Sequence, residues 1–211
     1  MKIKKQDKFI LLSILIVSIS SFSYRYVKGR FGYTGTTPIR RFDIDMDVLI
    51  GNRDNLYGQQ NAEWTLVEFA DYECPPCAKV NPVLEKILLR RSQQLNFKFR
   101  NFPLPSLSFS RRIAIFAEEY RNSTQFWSIH KSLFASRKTF SIETVNNMAR
   151  DLKFVPKLNS NLAASQVSQD VKIGDSIGIQ GTPTFFLCNT SGEVWELQNI
   201  LQVEDRMSRQ R

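Results

Sequence analysis

The sequence predicts an α/β fold from the order of its strand-like and helix-like segments. A short apolar strand pattern at 65–70 leads directly into a helix pattern, and a second strand pattern follows at 97–102. A long helical stretch, about residues 106–178, then precedes two strand patterns around a turn and a charged final helix. Strands and helices in this order build a sheet covered by helices. With 42% hydrophobic residues in 211, the chain can bury one core.

The N-terminal segment predicts where the protein is located. Four lysines precede an uncharged run, Phe9–Tyr24, in which eleven of sixteen residues are apolar or aromatic. This pattern is typical of a signal peptide or a membrane anchor, so we assign residues 1–24 to one of the two. As a helix the run spans about 24 Å, less than the roughly 30 Å hydrocarbon core, and snorkelling by Lys8 and Arg25 would extend it. We predict a retained single-pass anchor, with a cleaved signal as the alternative.

Either interpretation places the rest of the chain in the periplasm or another extracytoplasmic compartment. Residues 1–41 carry nine basic residues and one acid, hence +8 of the net charge of +9. The remainder is almost neutral, whereas a nucleic-acid-binding domain needs a basic surface, so no nucleic-acid partner is predicted. Residues 25–41, rich in glycine and basic residues, are a predicted linker, and residues 42–211 are the predicted domain.

Three aspartates alternate with apolar residues at the start of this domain. Asp43, Asp45 and Asp47 have the period of two that is typical of a strand with one acidic face. A calcium loop that begins in the same way needs glycine at its sixth position and glutamate at its twelfth. Val48 and Asp54 stand there instead, so the segment predicts a strand and no metal site.

The motif that carries chemistry is Cys-Pro-Pro-Cys at 74–77, where the first strand pattern passes into a helix. Such a pair is a redox pair, half of a zinc site or an inert disulfide. Zinc needs two further ligands, and His130 and Cys188 lie far apart and in no ligand spacing. A disulfide across two residues closes little chain and therefore stabilises little. Redox chemistry is the favoured interpretation.

The two cysteines are predicted to have different roles. Cys74 falls at the predicted N-cap of the helix, where unpaired backbone N–H groups and the helix dipole favour negative charge. A lowered pKa would make it the attacking, solvent-facing thiolate. Cys77 follows one turn later and is more shielded, which suits a resolving thiol. Pro75 and Pro76 occupy the first helical positions, where a missing N–H costs no internal hydrogen bond.

Four segments in this order resemble the DsbA-like branch of the thioredoxin superfamily. They are EFADYECPPC at 68–77, FRNFPL at 99–104, Phe126-Trp127 with His130, and GTPTFF at 181–186. The resemblance covers about residues 42–205 and implies a thioredoxin-like fold with a helical insertion. It also implies thiol–disulfide exchange on other proteins, a cis peptide between Thr182 and Pro183 that faces the cysteine pair, and a buried acid at Glu68. The Pro-Pro dipeptide departs from the Pro-His of the best-known oxidant.

Several residues outside the cysteine pair also have a predicted role or environment. The apolar neighbours of Glu68 predict burial, and because a lone buried acid is costly, we expect it to relay protons to Cys77. Thr182 and Pro183 are predicted to bind an extended substrate segment. His130 is predicted to pack in the core. Cys188 is predicted to be a small buried apolar group, with an intermolecular disulfide as the alternative.

The sequence therefore predicts an enzyme, an extracytoplasmic protein thiol–disulfide oxidoreductase without a cofactor beyond its own cysteines. Its expected substrates are exported proteins with free thiols, and a membrane redox partner is expected to reoxidise the cysteine pair. A disulfide reductase or isomerase of the same fold is the alternative within this chemistry. A non-catalytic thioredoxin-like binding or assembly module is the alternative outside it.

Overall fold

The computed structural model describes residues 39–51, 56–59, 61–121, 123–136, 140–151, 153 and 159–209. The predicted anchor or signal, residues 1–24, and all but the end of the predicted linker lie outside these ranges. Within the described ranges, no helix is both long and apolar enough to cross a membrane.

The secondary structure alternates in the predicted order, which confirms the α/β fold. The strands are β1 (Arg40–Arg41), β2 (Trp64–Ala70), β3 (Leu95–Asn101), β4 (Thr184–Asn189) and β5 (Val194–Leu197). The helices are α1 (Met46–Ile50), α2 (Pro75–Arg90), α3 (Ser110–Glu118), α4 (Phe126–Ser136), α5 (Ile142–Asp151), α6 (Ser160–Ser176) and α7 (Gln202–Ser208). Helices α3 to α6 lie between β3 and β4, where the sequence predicts a long helical stretch.

The strands form one mixed sheet in the order β1-β5-β4-β2-β3. Strands β2 and β3 are parallel because α2 crosses between them, while β4 is antiparallel to both β2 and β5. Strand β2 therefore has a neighbour on each side, and the register sets Glu68 between Phe99 and Phe185. This central position explains why all seven residues of β2 are buried.

Helices cover both faces of the sheet and form a core on each. Because side chains alternate along a strand, Leu66 and Ala70 point to one face and Val67 and Phe69 to the other. The first face packs against apolar side chains of α2, α3, α4 and α7, and its core includes the cysteine pair. The second face packs against α1 and partly buried side chains of α6.

One predicted element is wrong. The alternating aspartates do not form a strand, because a short helix begins at Met46 with Asp45 as its N-cap. The Oδ1 atom of Asp45 accepts a hydrogen bond of 2.8 Å from the backbone N–H of Asp47. Aspartate is favoured both at an N-cap and in the first turn, so the acidic pattern that mimics a strand begins a helix here. The short strand lies instead at Arg40–Arg41, within the predicted linker, and pairs with β5.

Buried charged residues join the helical insertion to the second face of the sheet. The Arg100 guanidinium on β3 is 2.7 Å from the Asp170 carboxylate on α6. Asp170 also accepts from the backbone N–H of Asn101 at 3.0 Å, and Arg121 forms an ion pair with Glu118. We call Lys98, Arg100, Glu118, Arg121 and Asp170 the charge cluster; all five are at most 5% exposed.

Candidate active site

The cysteine motif lies where β2 ends and α2 begins. Cys74 is the N-cap of α2 with an extended backbone, φ −65° and ψ 121°, as its position in the sequence predicts. Pro75 and Pro76 are the first two residues of the helix, and Cys77 completes its first turn. The proline rings have the helical φ preset and need no hydrogen-bond acceptor at these positions. The local sequence thus places both sulfur atoms at a helix N-terminus.

The two thiols, both free in this structure, differ sharply in acidity. A hydrogen bond from the Cys77 thiol, together with one from the Cys77 backbone N–H, lowers the pKa of Cys74 to about 6 although burial opposes it. The same contact and burial raise the pKa of Cys77 far above its usual range. At neutral pH the pair therefore holds one thiolate, on Cys74, and one thiol, on Cys77.

Cys74 is less accessible than the sequence predicts. Its surface is only 2% exposed and that of Cys77 is 0% exposed, whereas Pro75 and Pro76 are exposed. The reason is the loop before β4, because the Cys74 Sγ lies 3.3 Å from the backbone oxygen of Thr182. Two exposed prolines and the loop before β4 thus adjoin a sulfur that has little exposed surface of its own.

The Thr182–Pro183 peptide bond is cis, and the structure places it beside Cys74. The residues of this loop, 177–184, line a cavity of about 460 Å³ together with Arg40, Phe42, Phe186 and Glu196. The Thr182 hydroxyl oxygen is buried, and the Thr182 side chain contributes to the lowered pKa of Cys74. The cavity thus reaches Thr182 and Pro183, while Cys74 and Cys77 are not among its lining residues.

Glu68 is buried beneath the cysteine pair, and its predicted burial is confirmed. The side chain lies on the face of β2 that packs against α2, and the residue is 1% exposed. No described residue forms a hydrogen bond with its Oε2 atom. Burial and the nearby Cys74 charge raise the pKa of Glu68 to about 8. Its charge in turn contributes to the raised pKa of Cys77, so the acid and the thiol are electrostatically coupled.

His130 and Cys188 are packing residues, as predicted. His130 is hydrogen-bonded to the Tyr72 hydroxyl through Nδ1 at 3.1 Å, and burial lowers its pKa to about 3, so it stays neutral. Cys188 lies in the core of the opposite face of the sheet and is 0% exposed. Burial raises its pKa to about 12, which keeps it a thiol.

Two residues with contacts at the site received no prediction from the sequence. Asp71 and Glu73 stand just before Cys74, and both bind the segment that leads into α3. The available signal was the position of two acids at the end of a buried strand. Their partners lie more than thirty residues away, at Leu104 and Phe109, so no local pattern could reveal the contacts.

A mixed five-stranded sheet with a cysteine pair at a strand-to-helix turn defines a class, the thioredoxin-fold proteins. The thioredoxin family profile matches residues 52–194, more than half of the chain. The chain belongs to this family, and the resemblance to its DsbA-like branch is confirmed by the relatives below.

Relatives of this chain include Na⁺/H⁺ antiporters and a disulfide bond formation protein. The Na⁺/H⁺ antiporter NhaA 3 of Salinispora tropica is 30% identical over 151 residues, which are 68% of this chain and 23% of the antiporter. Disulfide bond formation protein D of Bacillus subtilis is 30% identical over 147 residues, which are 62% of this chain and 65% of that protein. The chain thus spans about a quarter of the antiporter and less than two thirds of the second relative.

A solved structure with the same fold is alpha-DsbA2 of Wolbachia pipientis, described as a thiol–disulfide exchange protein. It superposes with a TM-score of 0.64 at 16% sequence identity, over 78% of this chain and 91% of that one. At this identity the likeness establishes the fold. The structural likeness and the family profile thus agree on a thioredoxin-like fold.

Proposed function

We propose that this protein is an extracytoplasmic thiol–disulfide oxidoreductase that oxidises cysteines of exported proteins through a Cys74–Cys77 disulfide. The observation that carries the proposal is the difference in acidity between the two sulfurs. Cys74, with a pKa of about 6, is a thiolate at neutral pH, while Cys77 remains a thiol. A stabilised thiolate favours the reduced form of the pair, and a pair that prefers to be reduced oxidises its partners.

The reaction proceeds by two exchanges in which sulfur bonds, electrons and protons balance. A substrate thiolate attacks Cys74 in the Cys74–Cys77 disulfide, a mixed disulfide forms, and Cys77 leaves as a thiolate that takes up a proton. The second substrate thiolate then attacks the substrate sulfur of the mixed disulfide, and Cys74 leaves as a thiolate. The substrate has lost two electrons and gained a disulfide, while the protein has become the dithiol.

Glu68 is proposed as the group that exchanges a proton with Cys77. With a pKa of about 8 it is protonated at neutral pH, so it can donate when Cys77 leaves and accept when the pair is reoxidised. The support for this role is the electrostatic coupling of Glu68 to Cys77, since no described residue forms a hydrogen bond with Oε2.

Thr182 and Pro183 are proposed to bind the substrate backbone. In the reduced protein the Cys74 thiol, when protonated, donates to Thr182 O. The Cys74 thiolate present at neutral pH and the Cys74–Cys77 disulfide both lack that proton, so in either form the carbonyl is available to an N–H group of an extended substrate. Main-chain pairing of this kind accepts many sequences, which suits an enzyme with varied protein substrates.

The proposed location follows from the N-terminal sequence. A basic start and an apolar run at 9–24 support a retained anchor, or a cleaved signal, with residues 42–211 as one domain outside the cytoplasm. There a membrane redox partner would accept the two electrons and restore the disulfide. Protease accessibility of intact spheroplasts tests the location, and N-terminal sequencing of the mature protein separates an anchor from a cleaved signal.

The reduction potential of the Cys74/Cys77 couple tests the direction of the reaction. We expect a value above the roughly −270 mV of thioredoxin, measured by equilibration with glutathione. Oxidised protein should also convert a reduced two-cysteine peptide to its disulfide, and Cys74→Ala should abolish this while Cys188→Ala should not. A potential at or below that of thioredoxin would favour the reductase. Absence of any exchange would favour a non-catalytic binding or assembly module.

A further inference from the structure

The residues just before the cysteine pair are bound to the segment that begins the helical insertion. Asp71 accepts hydrogen bonds of 2.8 Å from the backbone N–H of Leu104 and from the Ser110 hydroxyl. Glu73 accepts from the backbone N–H of Phe109 at 2.8 Å and from the same Ser110 hydroxyl at 2.9 Å. The chain segment that leads to the attacking sulfur is thus held by contacts over more than thirty residues.

Some of these contacts lie at the N-terminal end of α3, which has no cap of its own. Phe109, the N-cap residue of α3, forms no capping hydrogen bond with its own side chain. The carboxylates of Asp71 and Glu73 instead approach this helix end, where N–H groups and the helix dipole favour negative charge. Ser110 is 1% exposed and Asp71 is 2% exposed, so these bonds are shielded from water.

Ser110 couples the two carboxylates to one another. A hydroxyl group has one proton to donate, and both carboxylates lie within hydrogen-bond distance of its oxygen. The position of each carboxylate therefore depends on the other through this shared donor. We call Asp71, Glu73 and Ser110 the Ser110 clamp.

We propose that the Ser110 clamp positions Cys74 so that its thiolate receives both hydrogen bonds from Cys77. The inference rests on the proposed role of Cys74 as the attacking thiolate. The backbone N–H of Cys74 donates to the backbone oxygen of Asp71 at 3.1 Å, so a shift of Asp71 moves Cys74 directly. Asp71, Glu73 and Ser110 are positioning residues, since they act through Cys74 and not on the substrate.

Positioning and charge predict effects of opposite sign. The negative charge of Asp71 by itself opposes ionisation of Cys74, so its removal alone would lower the pKa of that thiol. Loss of the clamp would instead weaken the hydrogen bonds from Cys77 and raise the pKa. Ser110→Ala removes the shared hydroxyl without any change of charge and is therefore the cleanest variant.

The test is the rate of Cys74 alkylation by iodoacetamide across pH in the reduced full chain. We expect Ser110→Ala to move the midpoint upward by half a unit to one unit, hence labelling about three- to tenfold slower at pH 5. Asn159→Ala is the matched control, because it removes the cap of α6, a 2.9 Å bond to Leu162 N, elsewhere in the insertion. An equal shift in this control, or no shift in Ser110→Ala, would overturn the clamp.

Two variants of Glu73 keep the inference testable if Ser110→Ala does not fold. Glu73→Gln retains an oxygen that accepts from Phe109 and Ser110, whereas Glu73→Ala does not. We expect only the alanine variant to raise the alkylation midpoint, and equal midpoints would contradict positioning. If Cys74 of the wild type is not the first thiol to react, the proposed function itself has failed, which is a different outcome from a missing shift.

Discussion

Two regions of this protein bury carboxylates in opposite ways. In the charge cluster, Asp170 meets Arg100 at 2.7 Å and the backbone N–H of Asn101 at 3.0 Å. Under the cysteine pair, Glu68 is equally buried, yet none of the described residues bonds to its Oε2. A buried acid that is fully paired holds elements together, because breaking the pair leaves an uncompensated charge. Glu68, with no described residue bonded to its Oε2, instead keeps its proton to a higher pH, because burial raises its pKa to about 8.

The largest expected effect lies in the charge cluster. Asp170→Asn leaves the Arg100 guanidinium without its carboxylate, so the free energy of unfolding should fall by about 3–5 kcal/mol. Urea denaturation measures this loss, and the pH midpoint of Cys74 alkylation should stay unchanged. A loss below about 1 kcal/mol would show that the charge cluster contributes little to the stability of the fold.

Glu68 should affect stability in a way that depends on pH. Its pKa is about 8 in the folded protein against 4.5 in the unfolded reference, so the stability it contributes is fully present below pH 4.5 and lost as the pH rises through 8. Glu68→Gln should therefore match the wild type at pH 4 and exceed its free energy of unfolding by about 2 kcal/mol at pH 6. Parallel stability curves for the two proteins would mean that Glu68 is not a buried, protonated acid.

The three cysteines should react with an alkylating reagent at very different rates. Brief alkylation of the reduced protein at pH 7 should label Cys74 well before Cys77 or Cys188, because only Cys74 has a lowered pKa. Below its pKa of about 6 the rate should fall about tenfold for each pH unit. Mass spectrometry of peptides identifies the site, and first labelling of Cys77 would reverse the proposed roles.

The smallest expected effect concerns the Pro-Pro dipeptide. Pro76→His restores one backbone N–H and adds an imidazole near Cys74, and both can donate to its thiolate. The reduced form should gain stability, so the reduction potential should rise by up to about 30 mV. Equilibration with glutathione measures the change, with Pro82→Ala as a control for loss of a proline elsewhere in α2. A potential that stays the same or falls would contradict this account.

Much of the fold was predictable because its signals are local. Apolar strand patterns and helix periodicity give β2, α2 and β3, and the position of Cys74 at the start of α2 follows from the prolines and the strand before it. The aspartates at 43–47 mislead because a capped helix and an acidic strand share the same spacing over five residues. The cis bond at Thr182–Pro183 was implied by family resemblance and not by any property of the dipeptide.

The contacts of the site were less predictable because they join distant segments. Burial of Glu68 could be inferred from its apolar neighbours in β2. The partners of Asp71 and Glu73 depend on how the segment before α3 folds back onto the cysteine turn. The spacing of apolar residues in the sequence does not indicate this contact. The low exposure of Cys74 likewise depends on Thr182, more than one hundred residues away.

The position of Cys188 determines whether it can form a disulfide with either cysteine of the proposed redox pair. Three cysteines allow three pairings, and one of them is the Cys74–Cys77 pair. Cys188 lies on the far side of the sheet from that pair, fully buried, with a thiol whose pKa of about 12 keeps it from ionising. Exchange needs a thiolate and access to a sulfur, and Cys188 offers neither. The sheet therefore separates Cys188 from the other two cysteines, so the proposed exchange involves Cys74 and Cys77 alone.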